Sequence, residues 1–273
     1  MTTRRKRIDL IGMPTDVHSS YMRGPAKAPP LIRAALFSDA YGSASERGIE
    51  LSDIEIEDCG DLPLEEKPAD DDRIREAVAA SVGAGAAPIS LGGDHAVTYP
   101  ILQGIAAQHG PIDLLHFDAH PDLYDAYEGD KRSHASPFAR IMEEGLAGSL
   151  TQIGIRTANR HLREQAERFG VTMHEMTDLA PDWGSSLSFK FSRPLYVSID
   201  LDGFDPAYAP GVSHHEPGGL NPRDVINCLL RLDAVLVGAD VVELNPKHDI
   251  NNMTAVLAAK LVKELAALAQ SSA

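Results

Sequence analysis

Short apolar runs alternate with stretches of helical spacing along the chain, and this alternation constrains the fold more than any other feature. The runs are rich in β-branched residues and cover residues 8–11, 54–56, 88–91, 112–117, 150–155, 171–174, 195–199 and 235–242. Helical spacing of apolar residues covers residues 30–37, 72–82, 97–107, 137–144, 162–169, 223–232 and 253–268. Strands that alternate with helices form a mostly parallel sheet with helices on both faces. The sequence therefore predicts a three-layer α/β/α sandwich, of the α/β class, with a parallel sheet of about eight strands.

The composition is that of an ordinary globular protein and excludes several partners. With 43% hydrophobic and 24% charged residues and no linker or repeat, residues 1–273 are expected to form a single domain. A net charge of −15 argues against nucleic acid as a partner, since phosphate binding needs a basic surface. No apolar run approaches the roughly 20 residues of a membrane span, so no membrane partner is expected. The basic start, residues 1–7, lacks the apolar segment of a signal peptide, and Cys59 and Cys228 are interpreted as buried thiols, which together predict a cytoplasmic protein.

Three residues at two-residue spacing follow the run 112–117, namely Asp118, His120 and Asp122. In an extended backbone such residues project to the same side, so two carboxylates and an imidazole converge at the tip of a strand. Gathered carboxylates repel one another and lose hydration, and a divalent cation removes both penalties. The mixed nitrogen and oxygen donors favour Mn, Fe, Co, Ni or Zn over Ca.

Two other predicted strands end in similar residues. Gly92 and Gly93 allow a sharp turn that leaves His95 at the carboxyl end of one strand, and Asp200 and Asp202 follow another. Ligands of such sheets bind beyond the carboxyl ends of the strands. The candidate metal ligands are therefore His95, Asp118, His120, Asp122, Asp200 and Asp202. They are too many for one small ion but fit two metals about 3.5–4 Å apart.

Four motifs in order resemble those of the ureohydrolase family of arginases and agmatinases, with closer likeness to agmatinase-like members. They are Gly-Gly-Asp-His at 92–95, Asp-Ala-His-Pro-Asp at 118–122, Ser-Ile-Asp-Leu-Asp-Gly-Phe-Asp-Pro at 198–206 and Glu-Leu-Asn-Pro at 243–246. The resemblance covers most of the chain. It implies an arginase-like fold and a binuclear-metal hydrolase that cleaves a guanidino compound to urea and an amine.

The resemblance also implies a role for each candidate residue. One metal is held by His95, Asp118, Asp122 and Asp200, and the other by His120, Asp118, Asp200 and Asp202. The expected ions are two Mn²⁺, with Ni²⁺ as the alternative. Glu243 pairs with the guanidinium, a task for which a planar carboxylate is suited. His134 binds the substrate and passes a proton to the leaving amine, while Asp122 accepts a proton from the attacking water.

The loop at 123–132 indicates the charge of the substrate's tail. This loop lacks the asparagine and serine pattern by which arginases hold an amino acid, and its acids Asp125, Glu128 and Asp130 suit a terminal ammonium. The loop therefore favours a small cationic guanidino compound such as agmatine, a substrate of polyamine metabolism. Lys131 or Arg132 would instead suit the carboxylate of a guanidino acid such as guanidinobutyrate.

Several alternatives stay open. An arginase or a guanidino-acid hydrolase is the main one; an amide deacetylase of related fold and a non-catalytic metal-binding protein are weaker, because the chain retains six ligands. His214 and His215 replace the Thr-Pro of many agmatinases and are expected to shape the mouth of the pocket. The resemblance further implies a homo-oligomer, either a trimer or a hexamer.

Overall fold

A single sheet of eight parallel strands forms the centre of the computed structural model, which describes residues 6–271. The strands are β1 (Ile8–Gly12), β2 (Ile56–Asp61), β3 (Ala87–Leu91), β4 (Ile112–Phe117), β5 (Ala147–Ile155), β6 (Thr172–Glu175), β7 (Leu195–Asp200) and β8 (Leu236–Val242). Their order across the sheet is β2-β1-β3-β8-β7-β4-β5-β6, and each neighbouring pair is parallel. The predicted sheet is confirmed. Residues 1–5, which belong to the basic start interpreted above, lie outside the described residues.

Helices cover both faces of this sheet. They are α1 (Ala28–Leu36), α2 (Asp70–Gly83), α3 (Thr98–His109), α4 (Pro137–Glu143), α5 (Arg160–Phe169), α6 (Trp183–Ser186), α7 (Pro222–Arg231) and α8 (Met253–Ser271). One apolar cluster joins α1, α6, α7 and α8 to one face, and a second joins α2, α3, α4 and α5 to the other. The three-layer α/β/α sandwich is therefore confirmed. None of the described helices has the length and apolarity needed to cross a membrane.

Burial on both faces explains why the central strands are apolar throughout. In β4, Leu115 and Phe117 pack into one cluster, while Ile112 and Leu114 pack into the other. A strand covered on both sides shows a continuous apolar run instead of alternation. The bounds predicted for β4 from that run coincide with the observed ones.

One predicted strand is misplaced. Residues 54–56 were expected to be extended, but a short 3-10 helix occupies Leu51–Asp53 and β2 begins only at Ile56. β2 is an edge strand that pairs with β1 alone and exposes Glu57, Asp58 and Cys59, so it needs no apolar run. The prediction of a buried thiol is correspondingly wrong for Cys59, whereas Cys228 is buried.

The topology places four neighbouring strands at the centre, in the order β3-β8-β7-β4. Because all strands are parallel, their carboxyl ends lie at one edge of the sheet. His95 follows β3, Glu243 follows β8, Asp200 ends β7 and Asp118 follows β4. Residues far apart in the sequence thereby meet at one edge.

Candidate metal centre

The candidate ligands after β4 come together through a loop and not through strand alternation. β4 ends at Phe117, residues 118–122 are irregular, and Asp122 has a φ of 50°. Asp202 likewise lies in a 3-10 turn, Leu201–Gly203, directly after β7. The predicted convergence is observed, but the extended backbone invoked for it is wrong. A positive φ at Asp122 costs about 1–3 kcal/mol, so surrounding contacts hold this backbone in place.

Gly92 and Gly93 are needed for close approach of other chain segments. Neither has a positive φ. A Cβ at Gly93 would overlap the carbonyl oxygen of Thr15, and one at Gly92 would overlap the side chain of Val242. The two glycines thus bring the β3 turn against its neighbours and fix the position of His95.

Three carboxylates surround one ring nitrogen of His95. Its Nδ1 lies 3.2 Å from Asp118 Oδ2, 3.1 Å from Asp122 Oδ2 and 3.0 Å from Asp200 Oδ2. The ring of His95 and the carboxylate of Asp118 are fully buried, and the other two are nearly so. These four residues form one potential ion-binding group.

A second group shares Asp118 with the first. The Nδ1 of His120 lies 3.4 Å from Asp118 Oδ1 and 3.2 Å from Asp202 Oδ2. Asp200 Oδ1 accepts a hydrogen bond of 2.7 Å from the Asp202 backbone N–H, which ties the two groups together. The structure thus brings all six candidate ligands together, and Asp118 belongs to both groups.

The donor atoms fit a pair of cations. Although it is buried, His95 Nδ1 has no hydrogen-bond partner among the described residues. Asp118, His120 and Asp202 present atoms that lie within 4.8 Å of one another, the spacing of ligands around one ion. Nitrogen and carboxylate oxygen donors suit transition-metal ions and Mn²⁺.

The electrostatics of the cluster indicate the same need for positive charge. Burial, followed by repulsion from Asp202 and Asp118, raises the pKa of Asp200 well above its usual range. Burial also raises the pKa of Asp202 to about 6, against the attraction of His120. Burial opposes protonation of His95 and His120, yet the neighbouring carboxylates raise the pKa of both rings well above the ordinary value. Protons here take the place that divalent cations would fill.

A buried hydrogen-bond chain orients His95. Its Nε2 lies 3.0 Å from Ser198 Oγ, whose hydroxyl donates to Asp240 Oδ1 at 2.6 Å. Tyr196 and Thr98 also donate to Asp240, so this fully buried carboxylate is well satisfied. The chain places the ring proton on Nε2 and leaves Nδ1 free to bind an ion.

His116, interpreted by sequence as structural, supports Asp118. Its Nε2 lies 2.8 Å from Asp118 Oδ2, and Gln152 Nε2 lies 3.0 Å from its Nδ1. Burial alone would raise the pKa of Asp118, but the three surrounding histidines hold it well below the usual range.

His134 and Glu243 form a buried pair beside the cluster. His134 Nδ1 lies 2.9 Å from Glu243 Oε1, and the same oxygen accepts a 2.9 Å hydrogen bond from the His95 backbone N–H. Burial opposes charging of the ring, but the negative charges of Glu243, Asp94 and Asp122 raise the pKa of His134 to about 9. Glu243 has a φ of 66°, a second non-glycine residue of the site in the left-handed region. His134 is only 8% exposed, so it is a buried residue of the site.

A cavity of about 210 Å³ opens onto the cluster. Its walls include four proposed ligands, His134, Ala135 and His214, and the other lining residues are Ser20, Tyr124, Tyr127, Thr157 and Leu162. His214 is placed against Tyr21, His120 and His134, with ring centroids 5.3–5.8 Å apart. His215 points away and contacts the Pro210 carbonyl at 2.8 Å. The expectation that this pair shapes the pocket mouth is confirmed for His214 alone.

The acids of the loop at 123–132 do not reach the cavity, which contradicts the prediction that they receive an ammonium group. Asp125 faces Arg140 and Arg168, and Asp130 pairs with His18. Glu128 is exposed at a tight turn. Among the described residues, no acid outside the proposed ligands lines this cavity.

The basic residues of the same loop are also placed elsewhere. Lys131 is exposed, and Arg132 forms a bidentate ion pair with Asp71, both bonds being 2.7 Å long. Arg132 lines a separate cavity with Thr15 and Ile74. The predicted carboxylate contact of Lys131 or Arg132 is therefore not supported by their positions.

Arg156 binds the backbone segments that carry the candidate ligands, a role that was not predicted from the sequence. Its guanidinium donates to the backbone carbonyls of Gly154, Asp202, Gly203, Phe204 and Glu216. It thereby joins the Asp202 turn to the segment that carries His214. An arginine after a strand carries no sequence signal for this role, whereas the charged Asp240 inside the apolar run 235–242 was a usable signal.

Donors divided between two ion-sized groups, with an acid–base pair beside them, define a hydrolase that uses metal ions to activate water. The comparisons with known proteins give the family. The sequence profile described as "Arginase family" matches residues 6–267. The chain is 48% identical over 272 residues to "Arginase 1, mitochondrial" of Arabidopsis thaliana. The alignment covers 94% of this chain and 80% of the relative. The solved structure of arginase from Medicago truncatula superposes with a TM-score of 0.92 at 45% identity, covering 97% of this chain and 88% of that chain.

A more distant relative is "Agmatinase, mitochondrial" of Gallus gallus, 36% identical over 93% of this chain and 78% of the relative. The chain therefore belongs to the arginase family of ureohydrolases and is a metal-dependent amidinohydrolase that acts on guanidino carbon–nitrogen bonds. The expected family is confirmed, which sets aside the deacetylase and the non-catalytic alternatives.

The finer predictions fare differently. The relatives reported at 48% and 45% identity are named arginases, so the preference for agmatine is not confirmed and the arginase alternative fits at least as well. Family membership supports a binuclear metal site but does not select Mn²⁺. The Arabidopsis relative is named mitochondrial, so the cytoplasmic location stays a prediction, as do the trimer or hexamer and the single domain.

Proposed function

We propose that this enzyme hydrolyses L-arginine to urea and L-ornithine with two divalent cations, Mn²⁺ being the expected ion. The proposed ligands are His95, Asp118, His120, Asp122, Asp200 and Asp202, which meet at the carboxyl edge of the sheet. When bound, two such ions supply the positive charge that lowers the pKa of an attacking water. The remaining steps depend on the chain's own residues.

The observation that carries the choice of arginine is that, among the described residues, the cavity wall contains no acid besides the proposed ligands. Tyr124, Tyr127 and Thr157 offer hydroxyl groups there, and the acids on which the agmatine prediction depended lie outside. An ammonium group alone would leave its charge without a counter-charge in such a wall. The α-ammonium and α-carboxylate of arginine compensate each other, so neutral hydrogen-bonding groups suffice. The arginase names of the more similar relatives support the same choice.

In this proposal, Asp122 and His134 act as the acid–base groups. Asp122 lines the cavity beside His95 and accepts a proton from the attacking water. His134, held by Glu243 at Nδ1, gives a proton to the leaving amine. Glu243 keeps the ring oriented through Oε1. The buried side chain of Glu243 is not part of the cavity wall. Its expected pairing with the guanidinium is therefore a separate role, which the experiment below tests.

Urea release from arginine, agmatine and 4-guanidinobutyrate, measured with Mn²⁺ and with Ni²⁺, tests the proposal. We expect kcat/KM for arginine to exceed that for either analogue by about tenfold or more, equivalent to about 1.4 kcal/mol in transition-state binding. The analogues lack one of the two tail groups and leave hydrogen-bonding groups of the wall without partners. Glu243→Gln is the matched control, because it should lower turnover of all three compounds by a similar factor.

The opposite ranking would contradict the proposal. Preference for agmatine would restore the earlier prediction, and preference for guanidinobutyrate would indicate a guanidino-acid hydrolase. Selective loss of arginine hydrolysis in Glu243→Gln would mean that Glu243 contacts the tail and not the guanidinium.

A further inference from the structure

The ring of His134 is held at both ends. Glu243 Oε1 lies 2.9 Å from Nδ1, and Ser20 Oγ lies 2.8 Å from Nε2. The backbone N–H of Ser20 donates to the same Nε2 at 3.2 Å. A carboxylate, an imidazole and a hydroxyl thus form one continuous chain, in which Ser20 is the member that the proposed function does not use.

The acceptor on one side and the donor on the other determine the protonation of the ring. A carboxylate oxygen accepts, so the ring proton lies on Nδ1, and a backbone N–H only donates, so Nε2 carries a lone pair in this conformation. Once Nε2 is protonated, the N–H contact with Ser20 cannot persist. The hydroxyl of Ser20, in contrast, donates to Nε2 in one state and accepts from it in the other. Only the hydroxyl serves both states of His134.

Ser20 also connects the buried ring to solvent. His134 is 8% exposed, whereas Ser20 is exposed, and both residues line the cavity. The loop that carries it is anchored, because Asp94 accepts a 2.9 Å hydrogen bond from the His18 backbone N–H, and His18 O accepts a 3.2 Å bond from the His134 backbone N–H. The contact between Ser20 and His134 is therefore supported on both sides by other bonds.

We propose that Ser20 is a positioning residue for His134 that also relays protons between its Nε2 and solvent. The relay rests on the proposed function, in which the Nε2–H bond of His134 breaks and an N–H bond forms on the leaving amine. To reload the ring, the Ser20 O–H bond breaks as its proton forms a new N–H bond at Nε2. The Ser20 oxygen takes a proton from a buffer acid in solvent, which leaves as its conjugate base. Protons and charge balance without any further reactant.

Ser20→Ala in the metal-loaded enzyme tests this role, with Ser19→Ala as the matched control and Ser20→Thr as the conservative variant. Ser19 is the adjacent serine, and its Oγ contacts Asp94 instead of His134. On the best guanidino substrate, we expect kcat of Ser20→Ala to fall about tenfold or more, short of the roughly 10²–10⁴-fold loss caused by removing an acid–base group itself. KM and metal content should stay unchanged, and Ser19→Ala and Ser20→Thr should resemble the parent enzyme.

Added imidazole buffer should restore part of the kcat of Ser20→Ala, because a small acid then delivers protons to His134 through the space left by the hydroxyl. A purely structural role would not respond to buffer. Equal kcat for Ser20→Ala and Ser19→Ala, or a loss confined to KM, would overturn the relay.

A readout that does not depend on turnover separates this inference from the proposed function. At a pH above about 9, where the His134 ring is neutral, ¹⁵N-labelled, Zn²⁺-loaded protein should carry the ring proton on Nδ1. The Nε2 resonance of this ring should shift in Ser20→Ala but not in Ser19→Ala. Identical Nε2 resonances in all three proteins would refute the positioning role. The expected shift without urea release from any guanidino compound would support the positioning role while refuting the proposed reaction.

Discussion

Removal of the Arg156 guanidinium should cost a large part of the stability of the site. The Arg156 guanidinium donates hydrogen bonds of 2.6 Å to Glu216 O and 2.8 Å to Asp202 O. It also donates longer hydrogen bonds, of 3.0–3.4 Å, to the backbone carbonyls of Gly154, Gly203 and Phe204. Hydrogen bonds from a charged donor contribute about 1.5–3 kcal/mol each, and bonds in one network do not add. We expect Arg156→Met to lower the free energy of unfolding by about 3–5 kcal/mol, because half-buried carbonyls lose their donor.

Urea denaturation followed by the fluorescence of Trp183, the single tryptophan and a buried one, measures this loss as a lower midpoint at unchanged m-value. Arg163→Met is the matched control, since Arg163 is half-exposed and pairs with Glu175 at the surface. Its effect should stay below about 1 kcal/mol. Divalent ions should also bind more weakly to Arg156→Met, because the turn that carries Asp202 loses its anchor. A loss as small as that of the control would show that water replaces the guanidinium and would refute the reasoning.

Three further predictions concern single groups. Asp118→Ala should bind fewer than two ions per chain and release no urea. Chelation should lower the Tm of the parent protein more than that of this variant, because fewer cations are removed from the variant. Two tightly bound ions in the variant, measured by metal analysis, would contradict the bridging role. His134→Asn should lower kcat by roughly 10²–10⁴-fold at unchanged metal content, as measured by urea release, and unaltered turnover would remove His134 from the mechanism. Burial raises the pKa of Cys228 to about 12, so its contribution to stability is complete below its unfolded pKa of about 8.5 and is lost as the pH rises toward the folded value. The free energy of unfolding should therefore decline above about pH 8.5 less steeply in Cys228→Ala than in Cys59→Ala, and equal slopes would refute this assignment.

The central strands were predictable because burial on both faces leaves a direct trace in the sequence. The run 112–117 coincides with β4, and the ligands gather because parallel strands end at one edge. The local route by which Asp122 and Asp202 reach that edge was not predictable. A left-handed backbone and a 3-10 turn place them, and neither conformation follows from residue spacing.

The sequence pattern also could not predict to which side of the loop at 123–132 its acidic side chains point. Tyr127 and Asp130 exchange backbone hydrogen bonds of 3.0 and 2.9 Å around Glu128 and Gly129, which both have positive φ. Two positive φ values form the tight turn typical of a two-residue hairpin, and this turn carries the acids outward. Composition indicated the charge of the loop but not the side to which it points. The contact of Ser20 with His134, 114 residues away, is equally invisible to local patterns.

The acidic edge strand that misled the sequence analysis has a consequence for how copies of this protein meet. Among the described strands, β2 pairs only with β1, so its other side takes no part in the sheet. Glu57, Asp58 and Asp61 are exposed along it. Arg33 pairs with Asp58 and Asp61, and the negative charge that remains in excess on two such edges is repulsive. Growth of the sheet from chain to chain is thereby discouraged at this edge. An assembly of several copies is expected to use other surfaces, and acidification, which neutralises carboxylates, would open the edge to aggregation.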